Sequence, residues 1–286
     1  MMDRFSKFHP IVSFSFFIGV IVLTLIFSNS VYGALSLLCG FCYTVRLKGK
    51  NAVSFFLKFI IPIVLLAAVF NMLFSHYGNT AIFAVKGLCF TLESLTAGLF
   101  TGIMIGAVMI WFFAYNEIIT ADKFMALFGG FAPNLALLFS MILRFIPLMV
   151  KTANEIKDAH IGMGYEVKGV KNTITRFSAL ISISLERSIE TADTMKARGF
   201  GTKKRSFYSA FAFRKSDLFG LVLVALFLIY LFIACSADIS QISFDPIIEI
   251  RSMNFITIAI FIFFSLFPLI ADLTEDVKWL LLKSKI

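Results

Sequence analysis

Charge is scarce in this chain. Only 15% of its 286 residues are Asp, Glu, Lys or Arg, against about 25% in ordinary soluble domains. Set beside 59% hydrophobic residues, 36 phenylalanines and a mean hydropathy of +0.91, that shortage excludes a soluble globular domain and makes the chain an integral membrane protein. No small-x-small cleavage site follows the first apolar run after His9 and Pro10, so that run is expected to stay as a membrane span.

Histidine and cysteine are also few. His9, His76 and His160 are scattered, and no paired carboxylates or nucleophile-base pair accompany them, so the chemistry of an intramembrane enzyme has no constellation to sit on; no catalytic residue is expected. Cys39, Cys42, Cys89 and Cys235 all lie in apolar stretches, where a thiol behaves as a small hydrophobe. Cys39-Gly40-Phe41-Cys42 has the spacing of metal and redox motifs but no second ligand pair, and neither metal nor cofactor is expected. No stretch fits the P-loop pattern, so the chain should not hydrolyse ATP by itself.

What is there is a series of apolar runs near the 20 or so residues a helix needs to cross hydrocarbon. Six qualify: Ile11 to Phe27, Val31 to Val45, Phe55 to Phe74, Leu95 to Tyr115, Leu218 to Cys235 and Phe255 to Ile270. A further apolar segment, Ala81 to Thr91, is too short to cross alone; it either lengthens the fourth span or lies re-entrant beside it. The expected fold is all-α and polytopic, with about six transmembrane helices. Its divisions are N-terminal spans over 1–115, coupling helices over 116–217 and C-terminal spans over 218–286. With both termini cytoplasmic, twenty-three of the 26 lysines and arginines fall inside, fifteen of them between Lys123 and Lys215. Only Arg251 is assigned outside, beside Asp238, Asp245 and Glu249, while Lys58 and Lys86 stay undecided; the asymmetry favours a multi-pass protein of the cell membrane in that orientation.

The hundred or so residues between the fourth and fifth spans carry the pattern. Lys123 to Val150 is apolar, punctuated by Gly129, Gly130, Pro133 and Pro147, and carries Arg144; it is expected to pack near the cytoplasmic face. From Phe145 the sequence turns amphipathic, with Ile146, Val150, Ala153 and Ile156 on one side and Lys151, Asn154, Glu155 and Asp158 on the other. A second amphipathic helix sets a stripe of Ile181, Leu185, Ile189 and Ala192 opposite Glu186, Arg187, Glu190 and Asp193. Both end alike, on Gly162-Met163-Gly164-Tyr165 and Ala197-Arg198-Gly199-Phe200, and glycine there either caps the helix or admits a close backbone. A lone arginine at a helix C-terminus often only compensates the dipole. The repetition favours docking, because a guanidinium offers five fixed donors to carboxylate or carbonyl groups of a partner.

Those residues resemble the transmembrane T component of energy-coupling factor (ECF) transporters, a family that includes the cobalt-transport Q component. "ERSIETADTMKARGFG" is similar to that family's second Ala-Arg-Gly coupling motif. "FHPIVSFSFF", "NMLFSHYGNTAIF", "FTLESLTAGLFTGIMI" and "LRFIPLMVKTANEIKDAH" agree in order, from about His9 to Arg214. The resemblance implies a scaffold that joins two cytosolic ABC ATPases to a membrane-embedded, substrate-binding S component for vitamin, cobalt or nickel uptake. It implies ATPase docking by Ala197, Arg198 and Gly199, and by Gly162, Met163 and Gly164, where Met163 departs from the family's arginine.

The other class weighed is a self-sufficient secondary permease, for which Asn71, Glu93 and Glu117 are the candidate relay groups. All three also have a structural reading at span ends. The basic residues Lys203, Lys204, Arg205, Arg214 and Lys215 are expected to meet anionic lipid of the bilayer rather than nucleic acid.

Overall fold

The computed structural model describes residues 5–27, 30–75, 80–85, 88–129, 132–164, 169–202, 213, 215–237 and 255–283. In chain order the elements are α1 (Pro10–Ile26), α2 (Ser30–Lys48), α3 (Lys50–Phe55), α4 (Ile61–Phe74), strands β1 (Ala81–Val85) and β2 (Leu88–Thr91), α5 (Leu92–Ile118), α6 (Ala121–Gly129), α7 (Pro133–Gly162), α8 (Val170–Ala197), α9 (Lys215–Ala237), α10 (Phe255–Ser265) and α11 (Phe267–Lys283). The fold is that of an all-α polytopic membrane protein carrying one small hairpin. It divides into two compact units, Met1–Ala121 with Phe211–Ile286, and Asp122–Ala210.

Helices stand at all six predicted span positions. The third span begins earlier than the apolar run suggests, because α3 and α4 join through a π-helical turn at Phe56–Ile60 into a continuous stretch from Lys50 to Phe74. The last is bent by 52° between Phe255–Ser265 and Phe267–Thr274. By length and apolar content, Lys50–Phe74, Leu92–Ile118, Pro133–Gly162 and Asp217–Ala234 are long enough to cross a membrane, and the bent pair makes a fifth; α1 is equally apolar but only 17 residues long.

One expectation is corrected in part. Ala81 to Thr91 does not lengthen the fourth span as helix: β1 and β2 pair antiparallel, Val85 opposite Leu88 and Ala81 opposite Thr91. The segment is short and rich in β-branched and aromatic types, Ile82, Phe83, Val85 and Phe90, which favour a pleated strand over a helix of one or two turns. Pro133 opens α7, after α6 has ended at Gly129, at a position where its missing N–H costs nothing, and the amphipathic helix expected from Phe145 is the second half of α7, which runs through Pro147 to Gly162.

In the first unit the core is aromatic. Phe5, in a short 3-10 turn ahead of α1, is fully buried among Phe8, Phe16, Phe17, Tyr43 and Phe267. Its backbone N–H donates to Asp272 Oδ1 at 3.1 Å, so a buried carboxylate of α11 satisfies the turn. Polar atoms between α1, α2 and α5 form a relay. Trp111 Nε1 donates to Ser36 Oγ at 2.9 Å, Ser36 shares a bond of 2.8 Å with Thr24, and the Thr24 hydroxyl lies 2.7 Å from the Val20 carbonyl.

Helix α4 packs closely on α5, and the cause is a glycine every fourth residue on α5. A Cβ at Gly98 would lie 2.8 Å from Ala68 Cα, and one at Gly102 would lie 2.8 Å from Val64 Cα. At Gly106 the nearest atom is the Ile60 Cγ2 methyl, at 2.9 Å. Without side chains on this face, the two backbones pack directly, as they do in small-residue helix pairs within lipid.

Candidate functional site

The second unit holds both repeated helix ends. Helix α8 closes on Arg198, whose φ and ψ of −80° and 6° are still right-handed, followed by Gly199 at φ +80°. The Phe200 N–H returns to the Met195 carbonyl at 3.0 Å and the Gly199 N–H to the Lys196 carbonyl at 2.9 Å. These are the two bonds of a Schellman cap, which satisfies two of the terminal carbonyls of the helix and turns the chain aside. Thr202 then donates its hydroxyl to the Gly199 carbonyl at 2.8 Å.

Helix α7 ends on the same backbone. Met163 has φ and ψ of −83° and 0°, Gly164 has φ +81°, and the Gly164 N–H reaches the Ile161 carbonyl at 2.9 Å. Of the two roles glycine could play, the geometry selects the left-handed conformation. A Cβ on Gly164 would meet nothing within 4 Å, and one on Gly199 only Thr202 Oγ1 at 3.4 Å. Gly162 is helical and also has open space, so only its neighbour Gly164 is required to be glycine. Tyr165 lies outside the described residues, as do Lys203, Lys204, Arg205 and Arg214.

The residues of both tips are exposed. Met163 is 63% exposed, and Gly162, Gly164, Ala197, Arg198 and Gly199 are exposed with it. The apolar stripe of α8 is likewise exposed: Ile181, Leu185, Ile189 and Ala192 face outward, and Val170, Ile174 and Phe177 extend the row toward the helix start. No residue of α8 is buried. An exposed apolar row on a long helix is a surface suited to lipid or to another protein.

One placement differs from the sequence reading. Arg187 does not belong with the solvated polar face: its Nη1 donates to the Thr152 hydroxyl on α7 at 2.7 Å, and Thr152 is buried. Helical spacing separates polar from apolar positions but does not say which polar position meets a neighbouring helix. A buried threonine on α7 matched with an arginine on α8 was invisible to a one-helix pattern. Elsewhere the pair is finished by local contacts, His160 Nδ1 donating to the Ile156 carbonyl at 3.0 Å and Lys196 lying 3.9 Å from Asp193.

Each relay candidate makes a local contact. Glu117 pairs with Lys48 at 2.6 Å, and the same ammonium sits 5.1 Å over the Phe113 ring. Glu93 lies in the first turn of α5, where the helix dipole favours a carboxylate, and its Oε1 accepts the Thr80 N–H at 3.3 Å while Leu92 N–H bonds the Thr80 carbonyl at 3.0 Å. It thereby ties the base of the hairpin to the helix. Asn71 packs against Gly98 in the α4–α5 contact. Cys39 and Cys42 are free thiols, the first buried and the second exposed. Among the described residues no three His, Cys, Asp or Glu side chains converge as a metal site requires.

A family model described as cobalt transport protein matches residues 7–209, which takes in α1 through α8 and both helix tips. No curated protein matches the chain.

Proposed function

Because the chain belongs to the CbiQ family of cobalt transport proteins and is therefore a membrane component of a transporter, we propose that it is the T component of an ECF-type importer. In this reading it couples two cytosolic ABC ATPases to a membrane S component that selects the cargo, a vitamin or a cobalt or nickel ion. It sits in the cell membrane with both termini cytoplasmic. The observation that carries the reading is the repeated helix end: two long helices, each closed by a right-handed residue and a left-handed glycine, each presenting an exposed side chain at the same place.

The mechanism follows from what such ends can transmit. Arg198 docks in one ATPase through charge-assisted hydrogen bonds, with Ala197 and Gly199 leaving room for the partner to approach. Gly162, Met163 and Gly164 dock in the other. ATP-driven closure brings the two docked subunits together, and a rigid helix moves as a unit when its end is displaced. The Arg187–Thr152 bond holds α7 to α8 during that movement. The exposed stripe of α8, with Ile181, Leu185, Ile189 and Ala192, carries the displacement to the S component, which tips and releases its cargo inward.

Purification of the tagged chain from its own membranes in mild detergent tests this, with an Arg198→Ala version beside it and mass spectrometry of what comes along. Two ABC ATPase subunits and a small hydrophobic protein with the wild type, and fewer ATPases with the variant, are the expected result. Recovery of the chain alone, from membranes that contain the ATPases, overturns the reading and returns attention to a self-sufficient permease.

A further inference from the structure

Lys58 is a cation in the wall of a membrane span. It stands in the π-helical turn Phe56–Ile60, within the continuous helix from Lys50 to Phe74. On the inner side of that turn Phe55 stacks on Phe113 of α5 at 4.4 Å and Ile60 meets the Gly106 face of the same helix, although the two are five residues apart. A regular helix returns to one face after three or four residues, so the wide turn puts an extra residue on the outer side. Leu57, Lys58 and Phe59 are all exposed there.

The surroundings offer the ammonium nothing polar. Leu57 and Phe59, which flank it, are each more than half exposed, and among the described residues no carboxylate or other partner meets Lys58. Lys48 gives the contrast, held by Glu117 and by the face of Phe113. Depth decides what can satisfy Lys58. About 20 residues cross the hydrocarbon, and counted back from Phe74 they reach Phe55, which leaves Lys58 about 5 Å inside the boundary. The lysine stem spans that depth, so the ammonium emerges at the level of the lipid phosphates. Arg46, Lys48 and Lys50 mark the same end of the helix as the headgroup end.

We propose that the outer side of the Phe56–Ile60 turn binds an anionic phospholipid, whose headgroup phosphate pairs with the Lys58 ammonium while an acyl chain lies on Leu57 and Phe59. An ammonium at this depth is satisfied by an anion that brings its own hydrocarbon, and a lipid is that anion. Exposed Lys50, roughly two turns nearer the headgroups, adds a second cation and favours a lipid with net negative charge. A zwitterionic lipid offers the same phosphate but carries a cation of its own, which the two lysines repel. The site needs a bilayer and no other protein, so it stands apart from the coupling role proposed above.

Native mass spectrometry of the purified full chain, titrated in detergent with dioleoylphosphatidylglycerol or with dioleoylphosphatidylcholine, tests the site. The wild type should bind its first phosphatidylglycerol about fivefold more tightly than its first phosphatidylcholine, the ratio expected of one lysine near the headgroups. Lys58→Leu should lose that preference and Lys58→Arg should keep it. Lys171→Leu, which removes an exposed charge from α8, should leave it unchanged. Since Lys58 is exposed on an apolar wall, Lys58→Leu should melt with the wild type in phosphatidylcholine vesicles and miss only the added stability that phosphatidylglycerol gives. Lys58→Gln makes the same comparison should the leucine variant fail to fold. An equal preference for phosphatidylglycerol with and without Lys58 overturns the site. Loss from Lys58→Leu of a protein that co-purifies with the wild type, with the lipid preference intact, also overturns it and gives the ammonium to a partner's carboxylate.

Discussion

Arg187 of α8 crosses to α7 and places its Nη1 2.7 Å from the hydroxyl of Thr152, a residue only 4% exposed. This side-chain hydrogen bond joins the two long helices, so their relative position is open to test there. Removing the acceptor leaves a half-buried guanidinium donor unmet, at a cost of about 1–3 kcal/mol.

Thr152→Val should therefore lower the thermal stability of the detergent-solubilised chain, and Thr152→Ser should restore it. In a double-mutant cycle, Arg187→Leu should add little to Thr152→Val. Independent, additive losses would show that the two residues stabilise the helices separately.

Substitutions at the tips should sort by backbone rather than by position. Gly164→Ala and Gly199→Ala force a left-handed residue to carry a Cβ, at about 1–2 kcal/mol each. Gly162→Ala lies in regular helix with room to spare and should be neutral or stabilising by about 0.5–1 kcal/mol. Thermal unfolding of the three variants decides, and equal losses at 162 and 164 would refute the cap assignment.

The glycine row of α5 predicts a graded series. Gly98→Ala and Gly102→Ala drive a methyl into backbone atoms at 2.8 Å, whereas Gly106→Ala meets the end of the Ile60 side chain at 2.9 Å. The first two should each cost about 1–3 kcal/mol and reduce the yield of folded protein, the third less. Expression and melting temperature in one detergent give the order, and indifference at Gly102 would contradict the close approach of α4.

Acidification should loosen the entry to α1. His9 caps that helix through Nδ1, which accepts the Ile11 N–H at 3.3 Å, and its ring packs edge-on against Phe213. Burial holds the imidazole below its ordinary value of 6.5, against the opposing pull of the Asp217 carboxylate. Between the folded and unfolded values the unfolded chain binds more protons, so this contribution is full above about pH 6.5 and declines as the pH falls through the window beneath it. Melting temperatures at about pH 7.5 and 5.5 should differ more for the wild type than for His9→Asn, whose amide caps without titrating. Identical slopes would clear His9 of any part in the pH response.

Much of this was legible in the sequence, for a physical reason: a span must be apolar over a fixed length, and a helix end that needs a left-handed residue asks for glycine. Ile11 to Phe27 and Leu218 to Cys235 could be read from the first rule, and the endings at Gly164 and Gly199 from the second. Ala81 to Thr91 was not, because an apolar segment of that length satisfies helix and strand alike until its pairing is known. The spacing of Gly98, Gly102 and Gly106 did carry the α4–α5 contact, and the glycines at every fourth position were the signal that could have found it. Arg187 had no such signal, because its partner lies on another helix.

The cap that ends α7 and α8 also separates shape from message. Glycine and the returning N–H groups fix the turn, while the residue before the glycine adopts angles open to any L-amino acid and points its side chain into the open. Mutation at 163 or 198 thus escapes the usual toll of a folded site, and the identity of the side chain is free to drift under selection for whom the protein pairs with. A lineage could rewire its assembly by single codon changes there without passing through a misfolded intermediate, and an engineer could do the same.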